Sequence, residues 1–356
     1  MLLMNGDRPV LQFHIDDFFI KVLDNDFLPY PLKDYVKDSG IEIRKTMSDI
    51  SALKDYLCSR TLNLSRENAK AILHSLSLPQ RLKTNELLKI TFACDALSMI
   101  DNYWVKDETD TRIFKDINLR NHHLRDAAYK ISILGENISA TKDIMLPDIG
   151  TDGMFAKTWV REPDKILLWK TDLTSDSIFA ISEKKASDIL DNSNIAHVKY
   201  DLFERDNKKI TSCKCIANDD VSIINGYELK DWCDHTKIDF LQYIKDNFLI
   251  DFSNMVCVDY ILANTDRHLG NILFLVDNKT NNIISFAPLM DHNQSLIAFD
   301  TVDDLIYEAT NKSIKDTALE YYCYSNMQFD LAAIPIECQK RIAFLENHSI
   351  KQKQNH

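Results

Sequence analysis

Hydrophobic and polar positions divide the chain into stretches of different period. After the N-G-D turn at Asn5 to Asp7, Val10 to Ile15 predicts a short strand. From about 46 to 100 the period lengthens. Ile50, Leu53 and Leu57, then Ala69, Ile72, Leu73 and Leu76, recur at three- and four-residue spacing and predict helices. Residues 101–145, Trp104 among them, are polar and irregular and read as a connecting region. Beyond 146 strand patterns return. I-G-T-D-G-M-F is a turn, and Ala156 to Arg161 with Ile166 to Lys170 predict a hairpin across Glu162-Pro-Asp-Lys. A helix follows over 178–192, then strands at His197 to Glu204 and Ile210 to Ala217. From Phe240 onward helices dominate. The order predicts an α+β fold of two lobes, small and β-rich before large and helical.

A polar cluster interrupts the helical half. Met255, Val256, Val258, Ile261 and Leu262 lead into Asn264-Thr-Asp-Arg-His-Leu-Gly-Asn271. Ile272 to Val276 and Ile283 to Leu289 then flank the turn D-N-K-T-N-N as a hairpin, with Asp291 beyond it. Charged side chains between buried segments are hard to read as solvated surface. Asp266 and Asn271 stand five positions apart in a loop that Gly270 keeps open, and an antiparallel return would bring Asp291 beside Asn271. Two carboxylates and one amide suit a site for Mg²⁺ and a triphosphate. Protein kinases use the same Asp-x-x-x-x-Asn spacing, with a metal-binding Asp one hairpin later. The alternative is a structural ion pair of Asp266 with Arg267 or a neighbour.

Such a site needs a cation for the remaining phosphates. Lys170 ends the apolar strand I-L-L-W-K, where a lysine must be paired or face a cleft. On the next helix Phe179, Glu183, Ala186 and Leu190 share a face, so Glu183 sits in an apolar stripe and suits an ion pair with Lys170. Otherwise Glu183 snorkels from the stripe and Lys170 marks the strand's solvent end. Gly150-Thr-Asp-Gly153, ahead of the strand carrying Lys157, is either a phosphate-cradling loop or an ordinary glycine turn. Neither G-x-x-x-x-G-K-[ST] nor G-x-G-x-x-G occurs, so P-loop and dinucleotide-binding readings lose their fingerprints.

Composition narrows the partners. The 356 residues carry a net charge of −12, which argues against nucleic acid or an anionic membrane as the main partner. No run approaches a membrane span, and Met1-Leu-Leu-Met is followed at once by Asn5-Gly-Asp, unlike a signal peptide. The eight cysteines are scattered, with Cys213-x-Cys215 the only close pair. They read as free thiols in a reducing cytoplasm rather than as metal ligands.

T-D-G-M-F-A-K-T-W, L-L-W-K, N-T-D-R-H-L-G-N and A-P-L-M-D occur in that order. In this the chain resembles the HipA-like serine/threonine kinases of bacteria and their phages, from roughly 146 to 340. The Asp-Arg-His-x-x-Asn string is shared with phosphoinositide kinases. The resemblance implies a bilobal protein-kinase-like fold, with an accessory region over 1–145, an N-lobe over 146–225 and a C-lobe over 226–356. It implies ATP and Mg²⁺ as cofactors and Ser or Thr of a protein as acceptor. Asp266 becomes the catalytic Asp, with Arg267 fixing its loop and His268 touching nucleotide or bracing the loop. Asn271 and Asp291 become the metal ligands, Lys170 the α/β-phosphate contact partnered by Glu183, and Gly153 and Lys157 the covering loop. An autophosphorylation site is expected at Thr151. His-Asn follows Asp291 where eukaryotic protein kinases have Phe-Gly, and no adenine-hinge motif is legible at Cys213 to Ala217. Some relatives are toxins paired with an antitoxin, so an antitoxin or regulatory partner belongs to the expectation. The alternatives are a lipid or small-alcohol kinase and a catalytically silent nucleotide-binding module.

Overall fold

The computed structural model describes residues 1–37, 43–79, 86–121, 124, 126–138, 153–172 and 174–354. The chain divides into two compact units. The first comprises 1–173, 214–223 and 276–283, and the second 174–213, 224–275 and 284–356.

In the first unit β1 (Leu2–Asn5), β2 (Arg8–His14), β3 (Phe19–Val22) and β4 (Tyr103–Lys106) form a sheet in the order β3-β2-β1-β4. Helices α1 (Ile43–Ser59) and α2 (Ala69–Ser75) follow the predicted spacing, α3 (Leu87–Ala93) falls within the stretch read as helical, and α4 (Phe114–Ile117) and α5 (Asp126–Ser132) come later. Leu3, Leu11, Phe13 and Ile20 of the sheet pack with Ile50, Leu53 and Leu57 of α1. The expectation of an irregular connector over 101–145 is corrected here. Tyr103-Trp-Val-Lys pairs with β1, and Trp104 is fully buried with Nε1 donating to the Gly6 carbonyl at 2.7 Å. A four-residue strand is too short for a period to show. The predicted hairpin is β5 (Lys157–Arg161) with β6 (Ile166–Thr171).

One buried arginine organises this unit. Arg60 Nε donates to the Ala96 carbonyl, and Nη1 to the Tyr56 hydroxyl and Asp101 Oδ2. Its Nη2 donates to Asp101 Oδ1 and the Tyr103 carbonyl. All five guanidinium protons are used.

In the second unit α6 (Ile178–Leu190) precedes the hairpin of β7 (Tyr200–Arg205) and β8 (Lys208–Lys214). The chain continues through β9 (Val221–Asn225), α7 (Gly226–Thr236) and the long α8 (Phe240–Ile261) to β10 (Leu273–Asp277) and β11 (Asn282–Phe286), of which 221–223, 276–277 and 282–283 are counted with the first unit. Short strands β12 (Ile306–Tyr307) and β13 (Lys312–Ser313) pair ahead of α9 (Ile314–Tyr321) and α10 (Ile336–Gln354). Every residue of α8 from Phe252 to Ile261 is buried, which is why no single stripe marks it in the sequence. The helix breaks at Phe248 (φ −140°, ψ 28°), whose ring packs 5.6 Å from those of Phe274 and Phe286. Among the described residues no helix is long and apolar enough to cross a membrane.

Asp101→Ala leaves the Arg60 charge buried without its counter-ion. We expect a loss of about 3–5 kcal/mol, read as a lower urea midpoint for the first unit.

Candidate functional site

The site residues of the second unit hang on a carboxylate that the sequence hides. Asp259 lies inside α8, fully buried among Val256, Val258 and Ile261, where an unpaired charge would be very costly. It accepts four hydrogen bonds. Arg267 donates from Nε and Nη2 at 2.9 and 3.0 Å, Tyr307 from its hydroxyl at 2.8 Å and Asn264 from Nδ2 at 2.8 Å. The remaining Arg267 protons go to the carbonyls of Asn271 (2.7 Å) and Met290 (3.1 Å) and to His292 Nε2 (3.2 Å). Burial, the largest single influence, lowers the Arg267 pKa, but the charge and hydrogen bonds of Asp259 together with Tyr307 and Asp291 outweigh it and the net shift is upward. One guanidinium therefore fixes α8, the loop holding Asp266 and the segment entering Asp291.

With Arg267 committed to Asp259, the alternative of a structural Asp266–Arg267 pair is set aside. Asp266 stands half-buried, its carboxyl raised above the ordinary range first by burial and then by the charge of Asp291. Asn271 Nδ2 donates to the Asp266 carbonyl at 3.0 Å, and its Oδ1 accepts nothing among the described residues. Asp291 takes left-handed backbone at φ +59°, which costs a non-glycine residue about 1–2 kcal/mol. Its N–H donates to the Tyr200 hydroxyl at 3.4 Å. Two carboxylates in mutual repulsion and an amide oxygen without a donor among the described residues fit a hard divalent cation. Among the described residues no group of three or more His, Cys, Asp and Glu could hold a metal ion. An ion here would thus draw on Asp291 and Asn271, with Asp266 beside them, and would be completed by phosphate and water as suits Mg²⁺.

His268 Nδ1 accepts from the Gly270 N–H at 3.0 Å, and its ring stacks on Tyr227 with centroids 6.2 Å apart. A Cβ on Gly270 would fall 2.7 Å from His268 Cε1, so this glycine makes room for the imidazole. The expectation that it merely keeps the loop open is refined accordingly. Glu308 accepts from the Leu269 N–H at 2.7 Å and from the Tyr227 hydroxyl at 3.1 Å.

Glu183 is fully buried and accepts from Thr211 Oγ1 at 2.8 Å. Beside it Ser182 Oγ donates to the carbonyl of Ser295 and, at 3.5 Å, to that of His292, tying α6 to the segment after Asp291. His292 is held down to about 3, first by burial and then by the Arg267 charge, so it is neutral where it accepts from Arg267.

Gly153, Lys157 and Lys170 belong to the first unit. Lys157 and Lys170 are direct cross-strand partners in the β5–β6 hairpin, so both side chains leave on one face. Lys170 Nζ lies 5.6 Å over the Phe155 ring. Gly153 (φ +104°) admits the Lys157 ammonium where a Cβ would stand 2.5 Å from it. Gly150 and Thr151 lie outside the described residues.

Sequence reasoning missed Asp259, Tyr307, His292, Ser182 and Glu308. A lone Asp in the run M-V-C-V-D-Y-I-L was the one available signal, since so apolar a setting demands a partner.

Residues 175–312 match the family model of phosphatidylinositol 3- and 4-kinases. The HipA chain of a Shewanella oneidensis MR-1 complex of HipA, HipB and operator DNA is 10% identical, with a TM-score of 0.52 over 100% of this chain and 97% of that one. The Helicobacter pylori proinflammatory kinase CtkA is 15% identical, with a TM-score of 0.39 over 56% of this chain and 90% of that one. No curated protein sequence matches. The HipA likeness gives the chain a kinase-like mixed α/β fold. The family match over 175–312, which includes Asp266, Asn271 and Asp291, supports a phosphotransferase.

Arg267→Ala should cost about 3–5 kcal/mol in urea unfolding, because Asp259 loses its counter-charge in a dry interior. His292 binds its proton far less readily folded than unfolded, so the unfolded chain takes up more protons between about pH 3 and about pH 6.5. Stability should therefore fall as pH drops through that window, and His292→Gln should flatten the fall in urea midpoints measured across it.

Proposed function

We propose that the protein is an ATP- and Mg²⁺-dependent kinase transferring the γ-phosphoryl group to Ser or Thr hydroxyls of a protein. The observation that carries this reading is the Arg267 clamp. It leaves the Asp266 carboxylate uncommitted to any arginine while bonding the backbone on either side, at Asn271 and Met290. Asp266 orients the acceptor hydroxyl and takes its proton. Its raised pKa favours that role over the one an ordinary surface carboxylate could fill. Asn271 and Asp291 hold the metal ion, which when bound neutralises charge on the phosphate oxygens. Lys170 and Lys157 meet the phosphates, with the backbone near Gly153 covering them. A Lys170–Glu183 ion pair, His268 against the nucleotide or loop, an antitoxin or regulatory protein partner and a cytoplasmic location belong to the same proposal.

A second reading, a lipid or small-alcohol kinase, is favoured by the family match over 175–312. Labelled ATP with Mg²⁺, offered protein lysate in one arm and phosphoinositide vesicles in another, separates the two. Label in protein supports the proposal, and label in lipid alone replaces it with the second reading. ATP binding with transfer to neither identifies a silent nucleotide-binding module.

Asp266→Asn should lower transfer by about 10²- to 10⁴-fold. The same change should leave the urea midpoint unchanged or raised, because it removes the repulsion with Asp291. Asp291→Asn should also weaken Mg·ATP binding, and parental activity in both variants would reject the assignment.

A further inference from the structure

The left-handed backbone of Asp291 is one that a non-glycine residue keeps only where its surroundings over-determine it. Three successive residues show how the chain does so. Leu289 is stitched to the stretch just ahead of β7, where its carbonyl accepts from the Val198 N–H at 2.8 Å and its own N–H donates to the Ala196 carbonyl at 2.9 Å. The Met290 carbonyl accepts from Arg267 Nη1 at 3.1 Å. The Asp291 N–H then donates to the Tyr200 hydroxyl at 3.4 Å. Strand pairing and the guanidinium hold the approach, and the phenol holds the turn itself.

Tyr200 is itself firmly held. It is buried, it pairs with Cys213 across the β7–β8 hairpin, and its N–H donates to Ser187 Oγ of α6 at 3.1 Å. Burial first, then the charges of Glu183, Cys213 and Asp291, push its pKa well above the ordinary tyrosine range. The ring therefore stays neutral and can accept the Asp291 N–H without setting another negative charge beside that carboxylate.

We propose that Tyr200 is a positioning residue for the divalent ion, its hydroxyl holding Asp291 in the left-handed turn from which the carboxylate serves as a ligand. The proposal rests on the kinase reading above, in which Asp291 holds the metal. Tyr200→Phe keeps the ring and its packing but leaves the Asp291 N–H without that acceptor. The turn is then free to relax toward right-handed backbone, carrying the carboxylate away from the ion.

Calorimetric titration of the non-hydrolysable ATP analogue AMP-PNP into the full chain, once in EDTA and once with Mn²⁺, reads how many-fold the ion tightens nucleotide binding. We expect Tyr200→Phe to lose about ten-fold of that gain while its affinity in EDTA stays parental. Asp291→Asn should lose at least as much. If Tyr200→Phe keeps the full gain and Asp291→Asn loses it, the role of Tyr200 is overturned and the kinase reading stands. An equal loss in EDTA and with Mn²⁺ also overturns the proposal, because Tyr200 then serves packing alone. A parent that binds no nucleotide, or whose binding ignores Mn²⁺, overturns the kinase reading and the proposal with it.

Discussion

The Arg267–Asp259 ion pair is the constraint on which the second unit depends. Both side chains are essentially without solvent contact, so neither charge can be relieved by water. A lysine would carry the charge but not the planar fork that reaches two carboxylate oxygens, two carbonyls and an imidazole at once. The first unit repeats the device with Arg60 and Asp101. Each unit thus fixes chain segments distant in sequence by satisfying one guanidinium completely.

Legibility in the sequence followed distance along the chain. The β5–β6 and β10–β11 hairpins declared themselves because each signal lies within one short window. The interval between Asp266 and Asn271 was readable for the same reason. The residues bracing that loop were not. Tyr307 and Glu308 arrive some 40 positions later, at the end of a two-residue strand and in the turn after it, with no periodicity to mark them. His292 was visible as a letter, but its neutral state is set by burial and by Arg267. Trp104 was lost in a polar stretch because the four-residue β4 is held by pairing with β1.

The comparisons divide along the same line. The likeness to HipA spans the chain at 10% identity and is a likeness of fold. The phosphatidylinositol-kinase family match is confined to 175–312, where Asp266, Asn271 and Asp291 stand. Chemistry shared by kinases of lipids and of proteins would concentrate there, since both must handle the same phosphates.

The bond from the Gly270 amide to His268 Nδ1 carries a consequence for proton bookkeeping. A backbone N–H always donates, so this ring nitrogen must keep its lone pair. The neutral imidazole is confined to the Nε2–H tautomer and offers its surroundings only a donor. A group placed beside Nε2 is therefore met by an N–H and not by a lone pair.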